Sequence, residues 1–70
     1  MERLKELRMA RGMTLKQMSE MLGMVLRNYQ RYETGEVDPP LSKAIALADY
    51  FDVSLDFLTG RNDNPNSHKL

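Results

Sequence analysis

Residues 14–34 read TLKQMSEMLGMVLRNYQRYET, and the pattern inside this stretch decides the fold. Thr14 offers a hydroxyl N-cap with Gln17 three residues on, the spacing of a capping box. Leu15, Met18, Ser19 and Leu22 follow at helical spacing, and Gly23 ends the helix in a left-handed conformation. A second helix runs from about Leu26 to Thr34 and closes at Gly35. Two helices joined this tightly must cross steeply, which is the helix-turn-helix arrangement.

The second of these helices has two contrasting faces. At about 100° per residue, Arg27, Asn28, Gln30 and Arg31 gather on one arc, and Tyr29, Tyr32 and Leu26 take the other. Two guanidinium groups one turn apart with an amide beside them can donate bidentate hydrogen bonds to base edges in a major groove. The same arc also reads as the solvated face of an amphipathic helix. Glu33 falls on the apolar arc, between Tyr29 and Leu26, where a carboxylate is costly to bury without a cation. A structural role therefore suits this acid better than a catalytic one.

Outward from the motif, the chain continues as helices and short turns. A first helix spans roughly Glu2 to Arg11, with Leu4, Leu7 and Ala10 on one side and Gly12 as its stop. Asp38-Pro39-Pro40 breaks the chain and Pro40 suits a helix start. Leu41, Ala44, Ile45, Ala48 and Phe51 then trace one stripe of a fourth helix, and Ser54 caps a short fifth helix, Leu55 to Thr59. No segment alternates with period two, so an all-α bundle without a sheet is expected. After Gly60 the sequence holds one apolar residue in ten, and residues 61–70 are expected to form a flexible tail.

Composition bounds the function. Seventy residues make one small domain. Cysteine is absent, which excludes a disulfide framework and a thiolate zinc site. No stretch approaches the roughly 18 apolar residues of a membrane span. The charged start Met1-Glu2-Arg3-Leu4-Lys5-Glu6 lacks an export signal, and a reducing cytoplasm is the expected location. The net charge of zero hides an asymmetry: residues 1–35 carry seven basic and four acidic groups, and residues 36–70 carry three basic and six acidic ones. Contact with a polyanion must therefore come from one local surface. The single histidine, His68, has no partner near it, and Asp49, Asp52 and Asp56 read as a solvated acidic rim rather than a metal site, so no enzyme, metal or cofactor is expected. Met9, Met13, Met18, Met21 and Met24 read mainly as core filling, although such residues can also line a pliable groove.

The order and spacing of several pieces make a specific resemblance. Leu4-Lys5-Glu6-Leu7-Arg8, Gly12-Met13-Thr14, Leu22-Gly23, Tyr32-Glu33-Thr34-Gly35, Pro39 and Leu47-Ala48-Asp49-Tyr50-Phe51-Asp52-Val53-Ser54-Leu55-Asp56-Phe57-Leu58 resemble the Cro and phage-repressor type helix-turn-helix domain, found in small bacterial and phage transcriptional regulators. The resemblance covers residues 2–60 and implies a compact five-helix bundle that binds double-stranded operator DNA, usually as a homodimer, most often as a repressor in a bacterial or phage setting. Position by position, it implies that Leu26, Arg27, Asn28 and Arg31 face the groove, that Lys16, Gln17 and Thr34 touch the DNA backbone, and that Arg8 and Glu33 form a buried ion pair. The sequence departs from the pattern twice. Leu15 stands where glutamine often contacts phosphate, and Val25 stands where serine or threonine often caps the recognition helix.

The rival reading keeps the fold and changes the use: a protein-interaction or antitoxin-type module with weak or no DNA binding, for which zero net charge is the best support. Phe57 and Leu55 are expected to expose apolar surface to a second copy of the chain.

Overall fold

Glycines and hydroxyl residues set the helix boundaries. The computed structural model describes Met1, residues 3–61 and residues 63–64. Among these, all regular structure is helical: α1 Leu4–Ala10, α2 Leu15–Met21, α3 Leu26–Thr34, α4 Leu41–Phe51 and α5 Leu55–Leu58. Of the expected tail, Asn62 and residues 65–70, His68 included, lie outside the described residues.

The turn that aims α3 is fixed from both sides. Thr14 accepts the Gln17 amide hydrogen at 3.1 Å, and the Gln17 side chain accepts that of Thr14 at 2.8 Å, a complete capping box. At the other end of α2, Gly23 takes φ +67°. Its N–H donates to the Glu20 carbonyl at 3.1 Å, and that of Met24 donates to Ser19 at 2.8 Å. This pair of bonds satisfies the last carbonyls of α2 and turns the chain within three residues. Chain direction into α3 follows from it.

The core holds Leu4, Met18, Tyr29, Tyr32, Leu47, Ala48, Phe51, Val53 and Leu58, with Leu7, Met13, Leu15, Leu22, Met24, Leu55 and Phe57 packed against it. Leu15, which departs from the phosphate-contacting pattern, thus has a packing role. Two buried serines are satisfied locally: Ser19 donates to the Lys16 carbonyl and Ser54 caps α5 by accepting the Phe57 amide hydrogen.

Three expectations need correction. The stripe of α4 is rotated: Leu47 is fully buried beside Ala44, Ala48 and Phe51, whereas Leu41 and Ile45 are exposed. The core lies on the Leu47 side because the left-handed turn at Asp52 (φ +58°) brings Val53 and Leu58 back there. In α1, Leu4 is buried but Ala10 is exposed, and Glu2, where the sequence starts this helix, lies outside the described residues. Among the methionines, Met18 is buried, Met13 and Met24 flank the core, and Met9 and Met21 face solvent.

Val25 is the N-cap of α3 and makes no side-chain cap bond. Its backbone already has cap geometry (φ −71°, ψ 146°), and the residue is 63% exposed, so a hydroxyl there is not forced into the core. Val25→Thr is expected to stabilise the domain by about 0.5–2 kcal/mol by accepting an amide hydrogen of the first turn. Thermal denaturation checks this; a lowered midpoint would contradict it.

Candidate nucleic-acid interface

Tyr29 and Tyr32 anchor α3 in the core, with ring centroids 6.3 Å apart in an edge-to-face arrangement. Burial of that side fixes what the helix presents outward. Arg27, Asn28, Gln30 and Thr34 are exposed, as are Lys16 and Gln17 at the start of α2. Arg31 is half-buried and its Nε lies 3.2 Å from Glu36 Oε2. Arg31 therefore starts from a carboxylate partner, which the sequence reading did not include. Leu26 departs from the helical-wheel expectation: it is 40% exposed and does not join the tyrosines. It is the first residue of α3.

Behind this surface lies a buried polar network. Glu33 Oε2 accepts hydrogen bonds from Arg8 Nε at 2.7 Å and from the Tyr29 hydroxyl at 2.6 Å, and Oε1 accepts from Arg8 Nη2 at 3.3 Å. Arg8 Nη1 also donates to the Met13 carbonyl at 2.8 Å. The Arg8 and Glu33 side chains are only 12% and 5% exposed. Burial pushes the Tyr29 phenol well above the ordinary tyrosine range, and its hydrogen bond to Glu33 adds to the shift. Arg8 is likewise raised, chiefly by the hydrogen bond to Glu33 and against the cost of desolvation. One side chain of α1 is thus tied to α3 and to the loop before α2. Tyr29 was legible only as a core residue; its four-residue spacing from Glu33 carried the missed signal.

Among the described residues, no group of three or more His, Cys, Asp or Glu side chains is placed to hold a metal ion, and no helix is long and apolar enough to cross a membrane. The outward-facing groups are guanidinium, amide and hydroxyl groups on α3 and the Lys16 ammonium on α2.

A five-helix bundle with a tight α2–α3 turn and a polar outer face on α3 defines a helix-turn-helix domain. The helix-turn-helix family model matches residues 4–58, and the chain belongs to that family. It is 39% identical over 64 residues to the uncharacterized HTH-type transcriptional regulator YobD of Bacillus subtilis (strain 168), covering 91% of this chain and 57% of the relative. It is 38% identical over 60 residues to the cryptic phage CTXphi transcriptional repressor RstR of Vibrio cholerae, covering 86% and 54%. The HTH-type transcriptional regulator AnsR of Bacillus subtilis (strain 168) is 38% identical over 61 residues, covering 87% and 53%. The chain therefore spans just over half the length of these relatives. No solved structure gives a close match.

Two outcomes follow from the network. Glu33→Ala leaves the Arg8 charge and the Tyr29 hydroxyl without their acceptor and is expected to cost about 3–5 kcal/mol, read by urea denaturation. A stability within about 0.5 kcal/mol of the native domain would contradict the network. The second outcome concerns alkaline pH. Because folding raises the Tyr29 pKa, its stabilisation is complete below the unfolded value of about 10 and declines as pH rises above it, by about 1.4 kcal/mol per pH unit. Unfolding of the native protein and of Tyr29→Phe between pH 8 and 11.5 checks this: the stability gap is expected to stay constant to about pH 10 and then to shift against the native protein.

Proposed function

We propose that this chain is a sequence-specific double-stranded DNA-binding module of a transcriptional regulator, of the repressor kind, that inserts α3 into the major groove. The observation carrying the proposal is the outward arc of Arg27, Asn28 and Arg31 on a helix whose opposite face is locked in the core. The relatives named as transcriptional regulators and as a phage repressor support the same reading. In this reading Arg27 and Asn28 read base edges from the first turns of α3, and Arg31 exchanges Glu36 for a base or phosphate. Leu26 faces the groove beside them. Lys16 supplies a phosphate contact. The Gln17 carbonyl is occupied by the capping box, which leaves its side-chain NH2 as the phosphate donor. The Thr34 hydroxyl, which holds the Arg31 carbonyl and the Glu36 amide hydrogen, orders the loop against the DNA backbone. Such a regulator works without enzymatic chemistry in the cytoplasm, at the nucleoid.

A homodimer on DNA is part of the proposal, since paired half-sites about one helical turn apart need two copies of α3. Leu55 and Phe57 are half-buried, with Arg3 4.3 Å above the Phe57 ring, and offer less surface than expected from the sequence. Leu41, 69% exposed, lines a groove together with Pro39, Ala44 and Leu55, and supplies the apolar surface for the second copy. Leu41→Glu is expected to abolish cooperative occupation of paired half-sites while leaving the melting temperature nearly unchanged. Equal cooperativity in the variant, followed by gel shift on one and two half-sites, would remove this face from the assembly.

Selection of bound fragments from a random DNA pool tests the function directly; a recovered inverted repeat is expected, and a pool without enrichment would favour the protein-interaction reading. On the recovered site, Arg27→Ala and Arg31→Ala are each expected to cost about 1–3 kcal/mol and to relax preference at one base pair. Lys16→Ala is expected to weaken all sequences alike and to lower the salt slope by about one.

A further inference from the structure

The start of α3 presents two apolar side chains for which the fold has no use. Val25 is 63% exposed and Leu26 40% exposed. Valine at the N-cap forgoes the cap bond that a hydroxyl residue of similar shape could make. Neither residue is among the buried core residues or the partly buried ones packed against them. Both directly precede Arg27 and Asn28, which are exposed on the next part of the same turn. On the helical wheel Leu26 borders Gln30 and the polar arc, and Val25 precedes it at the end of the helix proposed to enter a major groove.

We propose that Val25 and Leu26 together form an apolar contact for the 5-methyl group of thymine, making a thymine opposite the start of α3 part of the recognised sequence. The inference rests on the reading of this chain as a major-groove binder. Each base pair shows hydrogen-bonding groups in the major groove, and thymine adds a methyl group, the apolar feature that an aliphatic side chain can select. Guanidinium and amide groups at Arg27 and Asn28 then read the neighbouring donors and acceptors. Removal of two aliphatic side chains and a methyl group from water on binding supplies affinity that does not depend on salt, which suits a domain of zero net charge.

The test uses the site recovered from the random pool, with each thymine replaced in turn by deoxyuridine, which differs only by the methyl group. Affinity is expected to fall about fourfold at one or two thymines in each half-site, the worth of one buried methyl group. The thymine-to-deoxyuridine ratio at those positions is expected to approach one in Val25→Ala and Leu26→Ala. This ratio is internal to each variant, so a change in folding stability cancels from it. A recovered site lacking thymine there, tolerance of deoxyuridine at every position, or an unchanged ratio in both variants would each overturn the proposal while DNA binding itself stands. A pool without any enriched sequence would overturn the DNA-binding reading, and this inference with it.

Discussion

The Glu33 carboxylate, shared between Arg8 and Tyr29, is the interaction on which the rest of the structure depends. A buried carboxylate is tolerable only when its charge is balanced and its lone pairs are used, and here two guanidinium nitrogens and a phenol satisfy it. Among the described residues, no buried side-chain nitrogen or oxygen lacks a partner. The network is valuable less for net energy than for uniqueness. An apolar cluster in its place could match its stability, whereas the directional bonds here join α1, α3 and the Met13 carbonyl in one arrangement. In a domain this small, that setting decides where the outer face of α3 points.

Local and tertiary constraints meet at α3. The capping box and the Gly23 turn determine where α2 starts and stops, and hence the direction in which the chain enters α3. The two tyrosines then set the rotation of the helix about its axis, and the Arg8 network sets its tilt against α1. A further contact closes the opposite side: Arg11, at the end of α1, lies 4.8 Å from the Tyr50 ring centroid, and the Tyr50 hydroxyl reaches the Met13 sulfur at 3.0 Å. Both ends of the loop between α1 and α2 are therefore held. With the helix constrained in direction, rotation and tilt, its exposed groups need little reorganisation to meet a rigid partner, which lowers the entropic cost of binding.

Features governed by a few adjacent residues were legible in the sequence. The Thr14–Gln17 box, the glycine stops at Gly12, Gly23 and Gly35, and the Ser54 cap stand where the sequence places them, because each depends on bonds that close within six residues. The α4 stripe and the helical-wheel placement of Leu26 depart from the structure for the opposite reason. Helical periodicity identifies an apolar arc but not which edge of it meets the core, and that choice depends on where Val53 and Leu58 return. The Arg31–Glu36 contact was invisible to a wheel, since Glu36 lies beyond the helix end. The Arg8–Glu33 pairing spans 25 residues, and the residues alone indicated only that Glu33 needed a cation; the family resemblance supplied which one.

Zero net charge and sequence-specific binding are compatible, and the arrangement of charge shows how. Non-specific affinity for DNA grows with the number of phosphates neutralised, so a strongly basic domain binds everywhere and must discriminate against that background. Here Arg8 is consumed internally by Glu33, and Arg31 begins with Glu36 as its counter-ion, which withdraws two of the ten Lys and Arg side chains from indiscriminate phosphate contact. For Arg31 to leave Glu36, a partner must offer a better acceptor geometry than an exposed carboxylate does. A guanine edge offers a guanidinium two matched acceptors at one base pair only, whereas phosphates offer theirs at every position. On the proposed major-groove reading, Glu36 beside α3 lowers attraction to phosphates at every position alike, so that binding depends more on the base pair that Arg31 reads.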